Sequence, residues 1–161
     1  MFLLAAGLVA PAQQPTLNDP LLDSLTGHWL LTGEVMGQAT THEVDAAWVL
    51  NHQYVRLHEI SREKNAAGLP QYEACVYIGW DTVKKQYIVH WIDVYGGGFS
   101  LRGTAEKKPS LIAMVFKAED GSRFLTNFIR DEAAHQWRWT MDSEKNGSTT
   151  PFARLKLTPK K

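Results

Sequence analysis

Acid–base or nucleophilic chemistry in this 161-residue chain would have to come from its six histidines, its carboxylates or the lone thiol of Cys75. A single cysteine allows neither an intrachain disulfide nor a thiol–metal cluster, and Cys75 is expected to be a small buried apolar residue. His42, His58 and His90 lack the spacing of metal ligands, so no metal and no cofactor is expected. His90 and Asp93 resemble a pair, yet three residues apart on a strand they point to opposite faces. Gly96-Gly97-Gly98 opens no helix and is a turn, not a phosphate cradle. His42 and Glu59 remain as catalytic candidates. An imidazole beside a carboxylate in a partly apolar cavity can do general acid–base work, because burial and pairing tune both toward neutral pH. No nucleophile with a matching spacing accompanies them, so a structural hydrogen-bonded pair is the stronger expectation. The other resource is aromatic: six tryptophans, large and rigid, suited to filling a barrel or lining a pocket.

The elements that position these residues are short strands. From Gly27 onward no helical periodicity persists, and strands are expected over residues 28–36, 39–50, 53–62, 71–80, 86–94, 98–106, 110–117, 122–131, 135–143 and 150–158. Turn chemistry separates them, as at Gly37-Gln38, Asn51-His52, Lys108-Pro109, Asp120-Gly121 and Asn146-Gly147. Connections this short favour an up-and-down antiparallel β-barrel over Greek-key crossovers. Ahead of the first strand, Asn18-Asp19-Pro20 followed by Leu21, Leu22 and Leu25 predicts one or two amphipathic helical turns. Too short to stand alone, that helix should plug one end of the barrel with its leucines.

Two hairpins set which side chains face inward. A two-residue turn at Gly37-Gln38 pairs Met36 with Ala39, Gly33 with His42, Leu31 with Val44 and Trp29 with Ala46. A second, at Asn51-His52, sets Trp48 against Val55, Ala46 against Leu57, Val44 against Glu59 and His42 against Ser61. Both registers agree on one apolar face, Trp29, Leu31, Val44, Ala46, Trp48, Val55 and Leu57. His42 and Glu59 share it, with Gly33 leaving room for the imidazole, whereas Arg56 and His58 point out. Phe99, Leu101, Gly103 and Ala105 form another face, as do Trp137, Trp139 and Met141. The stretch 72–80 is apolar on both sides and is not oriented by its pattern.

Charge is balanced, 17 basic against 17 acidic residues, without the basic stripe of a nucleic-acid binder. Phe2 to Ala10 is apolar, too short to span a bilayer, and followed by Ala10-Pro11-Ala12, a small-x-small cleavage pattern. Residues 1–17 are accordingly read as a signal-like segment and flexible lead-in, although no Lys or Arg precedes the apolar run. Residues 18–161 are read as one domain, and export to the periplasm or exterior is expected.

Gly27-His28-Trp29, opening the first strand after a short helix, resembles the Gly-x-Trp signature of the calycin superfamily, the lipocalins and fatty-acid-binding proteins. Tyr77-Ile78-Gly79-Trp80-Asp81, Lys84-Lys85-Gln86-Tyr87, Trp91-Ile92-Asp93 and Trp48-Val49-Leu50-Asn51 together resemble a bacterial lipocalin-like family known as a domain of unknown function. The resemblance covers about Leu21 to Leu157. It implies a lipocalin-like barrel with Gly27 and Trp29 as structural signature and brings no established activity; the aromatic lumen walls themselves favour a small, largely apolar molecule as partner. There is no Thr-Asp-Tyr motif and no helix after the last strand. By position, Arg154 is the arginine that would pack on the signature tryptophan. The superfamily includes haem-binding barrels, but no histidine spacing here asks for haem. Trp48, Phe99, Trp137, Trp139 and Met141 are the expected ligand-contacting residues of a ten-strand lumen.

Overall fold

In the computed structural model, which describes residues 15–160, the alternating segments become ten antiparallel strands closed into one up-and-down barrel. The signal-like run falls among residues 1–14, outside the described residues. In chain order the strands are β1 (Gly27–Val35), β2 (Gln38–Val49), β3 (Tyr54–Ser61), β4 (Glu73–Asp81), β5 (Gln86–Asp93), β6 (Leu101–Lys108), β7 (Leu111–Lys117), β8 (Arg123–Asp131), β9 (Gln136–Lys145) and β10 (Ser148–Pro159). Each pairs with its sequence neighbours, and β10 closes on β1. No helix among the described residues is long and apolar enough to cross a membrane.

The β2–β3 register is the expected one, with Trp48 opposite Val55, Val44 opposite Glu59 and His42 opposite Ser61. The connecting turn is longer than two residues. It runs through Leu50, Asn51 and His52, all at positive φ. The β1–β2 register is displaced by two residues: Leu31 faces His42, Trp29 faces Val44, and Gly33 faces Thr40. Met36 and Gly37 form the turn, both at positive φ, the type I′ requirement, in place of a turn led by Gly37. A two-residue slip changes partners but preserves parity, so every side chain keeps its expected face.

Gly33 therefore does not make room for His42. It makes room for the barrel's closure. Its φ is +147°, and a Cβ there would sit 2.2 Å from the Arg154 carbonyl oxygen on β10. Gly33→Ala is expected to destabilise the protein by about 1–3 kcal/mol, the cost of one forced backbone strain. Urea unfolding checks this, and a loss within about 0.5 kcal/mol, as at ordinary surface sites, would refute it.

At one end the helix α1 (Pro20–Asp23) closes the lumen. Asp19 caps it, accepting the N–H groups of Leu21 and Leu22 through one carboxylate oxygen. The other oxygen takes the Tyr87 hydroxyl at 2.7 Å and the Lys107 ammonium at 2.9 Å. Burial first, then the Asp19 carboxylate, push the Tyr87 phenol above its ordinary range, so it stays a donor. Leu22 and Leu25 are fully buried beneath, as the plug reading requires. Three indoles fasten the plug: Trp29 donates to the Leu25 carbonyl, Trp137 to the Ser24 carbonyl, and Trp48 to the Asp23 carboxylate.

Three further expectations are corrected. Arg154 does not pack on Trp29. Its guanidinium donates to the Met141 and Ala153 carbonyls and pairs with Asp142 on the outside of the wall. Cys75 is half-buried on the outer face of β4, because Ala74, Val76 and Ile78 take the inner one. The β6 strand begins at Leu101, since Gly97–Phe99 coils into a 3-10 turn.

Candidate functional site

The end of the barrel away from α1 is built differently. Early β2, late β3 and late β5 converge there, and they carry the one inward histidine. Among the described residues His42 is the only buried one of the six, and Glu59 is buried beside it, at 5% and 3% exposure. His42 Nδ1 and the Glu59 carboxylate form a short hydrogen bond. The pairing follows from the β2–β3 register, which puts Glu59 opposite Val44 and thus diagonal to His42.

Sequence reasoning found no partner for the other imidazole nitrogen. The structure supplies Thr40, whose hydroxyl lies 2.6 Å from Nε2. Two residues earlier on the same strand, Thr40 shares the inward face by simple alternation, and that was the available signal. The same hydroxyl reaches Glu63 at 3.3 Å, and the second Glu63 oxygen accepts the Thr41 N–H at 2.9 Å. Burial pushes the Glu63 carboxyl up. Hydrogen bonds from its own N–H, the Thr41 N–H and the Thr40 hydroxyl, with His42 nearby, outweigh that and hold it below the ordinary carboxylate range. Glu63 lies past the end of β3, where strand periodicity no longer predicts a face.

Tyr72 covers this chain from the β3–β4 connection. Its ring centroid lies 5.9 Å from that of His42 and 6.1 Å from that of Tyr95. Its hydroxyl accepts the Trp91 indole N–H at 3.1 Å. Deeper in, Trp91, Phe116, Phe128 and Trp139 form a layer of rings, with Trp139 stacked on Phe128 at 4.4 Å and tilted against Trp91 at 5.7 Å. Above that layer the wall stays apolar and only half-buried, through Val35, Tyr72, Phe124 and Phe152. Phe152 is the extra residue of a β-bulge between Pro151 and Ala153, and its ring meets Phe124 edge-on at 5.2 Å.

The expected ligand-contacting residues divide between the two ends. Trp139 belongs to the ring layer and Met141 lies just beyond it on the same face, both buried. Trp137 and Trp48 belong to the plugged end, where Trp48 also stacks on His52 at 4.0 Å. Phe99 lies in the β5–β6 connection at the end away from α1, and its side chain is outside the described residues. Arg56 and His58 are on the outer face as expected, paired with Asp45 and Glu73. Among the described residues no group of three His, Cys, Asp or Glu is arranged to hold a metal ion.

Three inward-facing polar atoms have no hydrogen-bond partner among the described residues: Glu59 Oε2, Thr126 Oγ1 and Trp139 Nε1. They come from three different strands around the lumen, β3, β8 and β9. Buried polar atoms are nearly always satisfied, so each of the three calls for a partner that the described side chains do not supply. Two described cavities lie elsewhere: one of about 270 Å³ between Thr16–Asn18, Asp23 and His52, and one of about 200 Å³ on the outer wall beside Cys75 and Ile92.

Fold and site together define a closed antiparallel ten-strand barrel, consistent with a calycin-like fold, plugged at one end and carrying a buried imidazole–carboxylate pair toward the other. No protein-family model matches the chain, and no curated protein matches it.

Proposed function

We propose that this chain is a calycin-like binding barrel of an exported bacterial protein. It takes a small, largely apolar molecule into the open end, onto the ring layer of Trp91, Trp139 and Phe116. The observation that carries the reading is the asymmetry of the two ends. The plugged end is saturated with hydrogen bonds from Asp19, Trp29, Trp48 and Trp137. The open end keeps half-buried apolar side chains above unpartnered buried polar atoms. Pockets of that composition, apolar walls with a few convergent polar groups, are what small-molecule sites are made of. Export is supported by the Phe2–Ala10 apolar run and its small-residue boundary.

An environment-sensitive apolar fluorophore should therefore bind with saturable emission change, and native mass spectrometry of protein from its own cells should show a co-purifying small molecule. Phe152→Ala removes an aromatic contact at the mouth and should weaken fluorophore binding about fivefold, the equivalent of about 1 kcal/mol of aromatic contact. Absence of both saturable binding and a co-purifying molecule would overturn the proposal.

An enzymatic reading has one observation in its favour: hydroxyl, imidazole and carboxylate are in line through Thr40, His42 and Glu59. It is the weaker reading because the Thr40 hydroxyl is also engaged by Glu63. That contact makes the group a link in a hydrogen-bonded chain and not a nucleophile waiting for a base.

A further inference from the structure

We propose that the open end recognises a positively charged amine, so that the ligand is a small organic ammonium with an apolar body. This rests on the binding reading above and adds the chemistry of the head group. Three carboxyl groups and one imidazole gather there: His42, Glu59 and Glu63, linked through the Thr40 hydroxyl and the His42 ring, and Asp93, opposite buried Ala74 and so on its face. Three carboxyl groups against one imidazole make the balance of side chains here acidic. Of the cations nearest this end, Arg62 is committed to Glu43 outside the lumen and Lys64 is exposed. Lys145, whose strand position has inward parity, is exposed at its hairpin and bound to Asp120.

Within this acidic end Glu59 Oε2 is buried and accepts no hydrogen bond among the described residues. A carboxylate oxygen in that position is costly until a donor reaches it. An ammonium brings three donors and the complementary charge. The surrounding rings suit it too. Tyr72, hydrogen-bonded to Trp91 and within 6.1 Å of Tyr95, offers the π-faces that attract cations. Burial first, then the Glu59 carboxylate, with Asp93 and Tyr95 adding, raise the Tyr72 phenol far above its ordinary range. Its hydroxyl therefore stays protonated, and the fields of the two carboxylates meet at its oxygen. A fatty acid's carboxylate would encounter like charge here and no basic anchor, since Arg56 is outside.

The test compares octylamine, octanol and octanoate as competitors of a bound apolar fluorophore, on the full chain near neutral pH. Octylamine is expected to bind at least about tenfold more tightly than octanol, one hydrogen-bonded charge pair's worth of discrimination, with octanoate weakest. Glu59→Gln keeps the shape and removes the charge, and should abolish the preference, bringing octylamine down to the level of octanol. If that variant does not fold, Glu63→Gln and added salt serve instead. Each should weaken octylamine selectively, salt because it screens the charge attraction at the partly open mouth. Equal binding of octylamine and octanol, or octanoate binding more tightly than either, would overturn the amine proposal and leave the binding barrel standing. Failure of all three to compete, together with failure of the fluorophore itself to bind, would remove the binding reading and the amine with it.

Discussion

Replacing Trp29 with alanine is expected to lower the free energy of unfolding by about 3–5 kcal/mol, the range for emptying a large aromatic site. Trp29 is buried, its indole N–H is tied to the Leu25 carbonyl, and its neighbours across the sheet are Val44 and Pro159. The substitution therefore does two things at once. It leaves a cavity at the plugged end, and it removes the donor that holds the C-terminal side of the helix against the wall. Leu22 of that helix and Leu25 just after it are fully buried against the wall. Trp29→Phe separates the two effects, because it restores most of the volume without the indole N–H, and should recover more than half of the loss. Urea unfolding followed by far-UV circular dichroism measures both. A loss within about 0.5 kcal/mol for the alanine variant would mean that the indole is not a structural anchor.

Glu59→Ala is expected to cost as much, about 3–5 kcal/mol, for a different reason. Removing one member of a buried, hydrogen-bonded pair leaves the other buried without its partner. His42 would keep Thr40 on Nε2 and lose its only described partner on Nδ1. The pair as a whole is another matter, because desolvating both groups offsets most of what their attraction contributes. The double variant His42→Leu with Glu59→Met should accordingly unfold within about 1 kcal/mol of the natural chain, or be more stable. Additive losses in the double variant would contradict this account.

How much of this was readable beforehand depended on periodicity. The inward face of β1, β2 and β3 followed from alternation alone, and it held even though the first hairpin pairs two residues away from where Gly37 suggested. Met36 was the reason for the error: a methionine at positive φ is an unusual turn residue, and propensity argues for Gly37 in its place. His42 and Glu59 were legible as an inward pair because both lie within regular strand. Thr40 was equally legible in direction, but its role depends on which way a hydroxyl turns, and no pattern encodes that. Glu63 and Tyr72 were not legible, since both sit in the connection between β3 and β4, where the chain leaves the period of two. The stretch 72–80, apolar on both sides, was oriented only by its neighbours: Ala74, Val76 and Ile78 face the lumen, while Tyr54 packs over Gly79 from the outside.

The division between sequence and tertiary structure follows the range of the interactions involved. By itself the sequence determined that strands of period two would alternate inside and outside, that short turns would join them in order, and that a leucine helix would have to be covered. These are local properties, and a two-residue slip leaves them intact. Tertiary structure alone decided where the sheet closes, at the seam of β1 and β10 where Gly33 admits the Arg154 carbonyl, and which end α1 blocks. It also decided that Trp48 and Trp137 serve the plug while Trp139 lies in the ring layer, because inward-facing residues of one strand reach different depths once the barrel's stagger is set. That stagger is a property of ten strands together, and no single segment carries it.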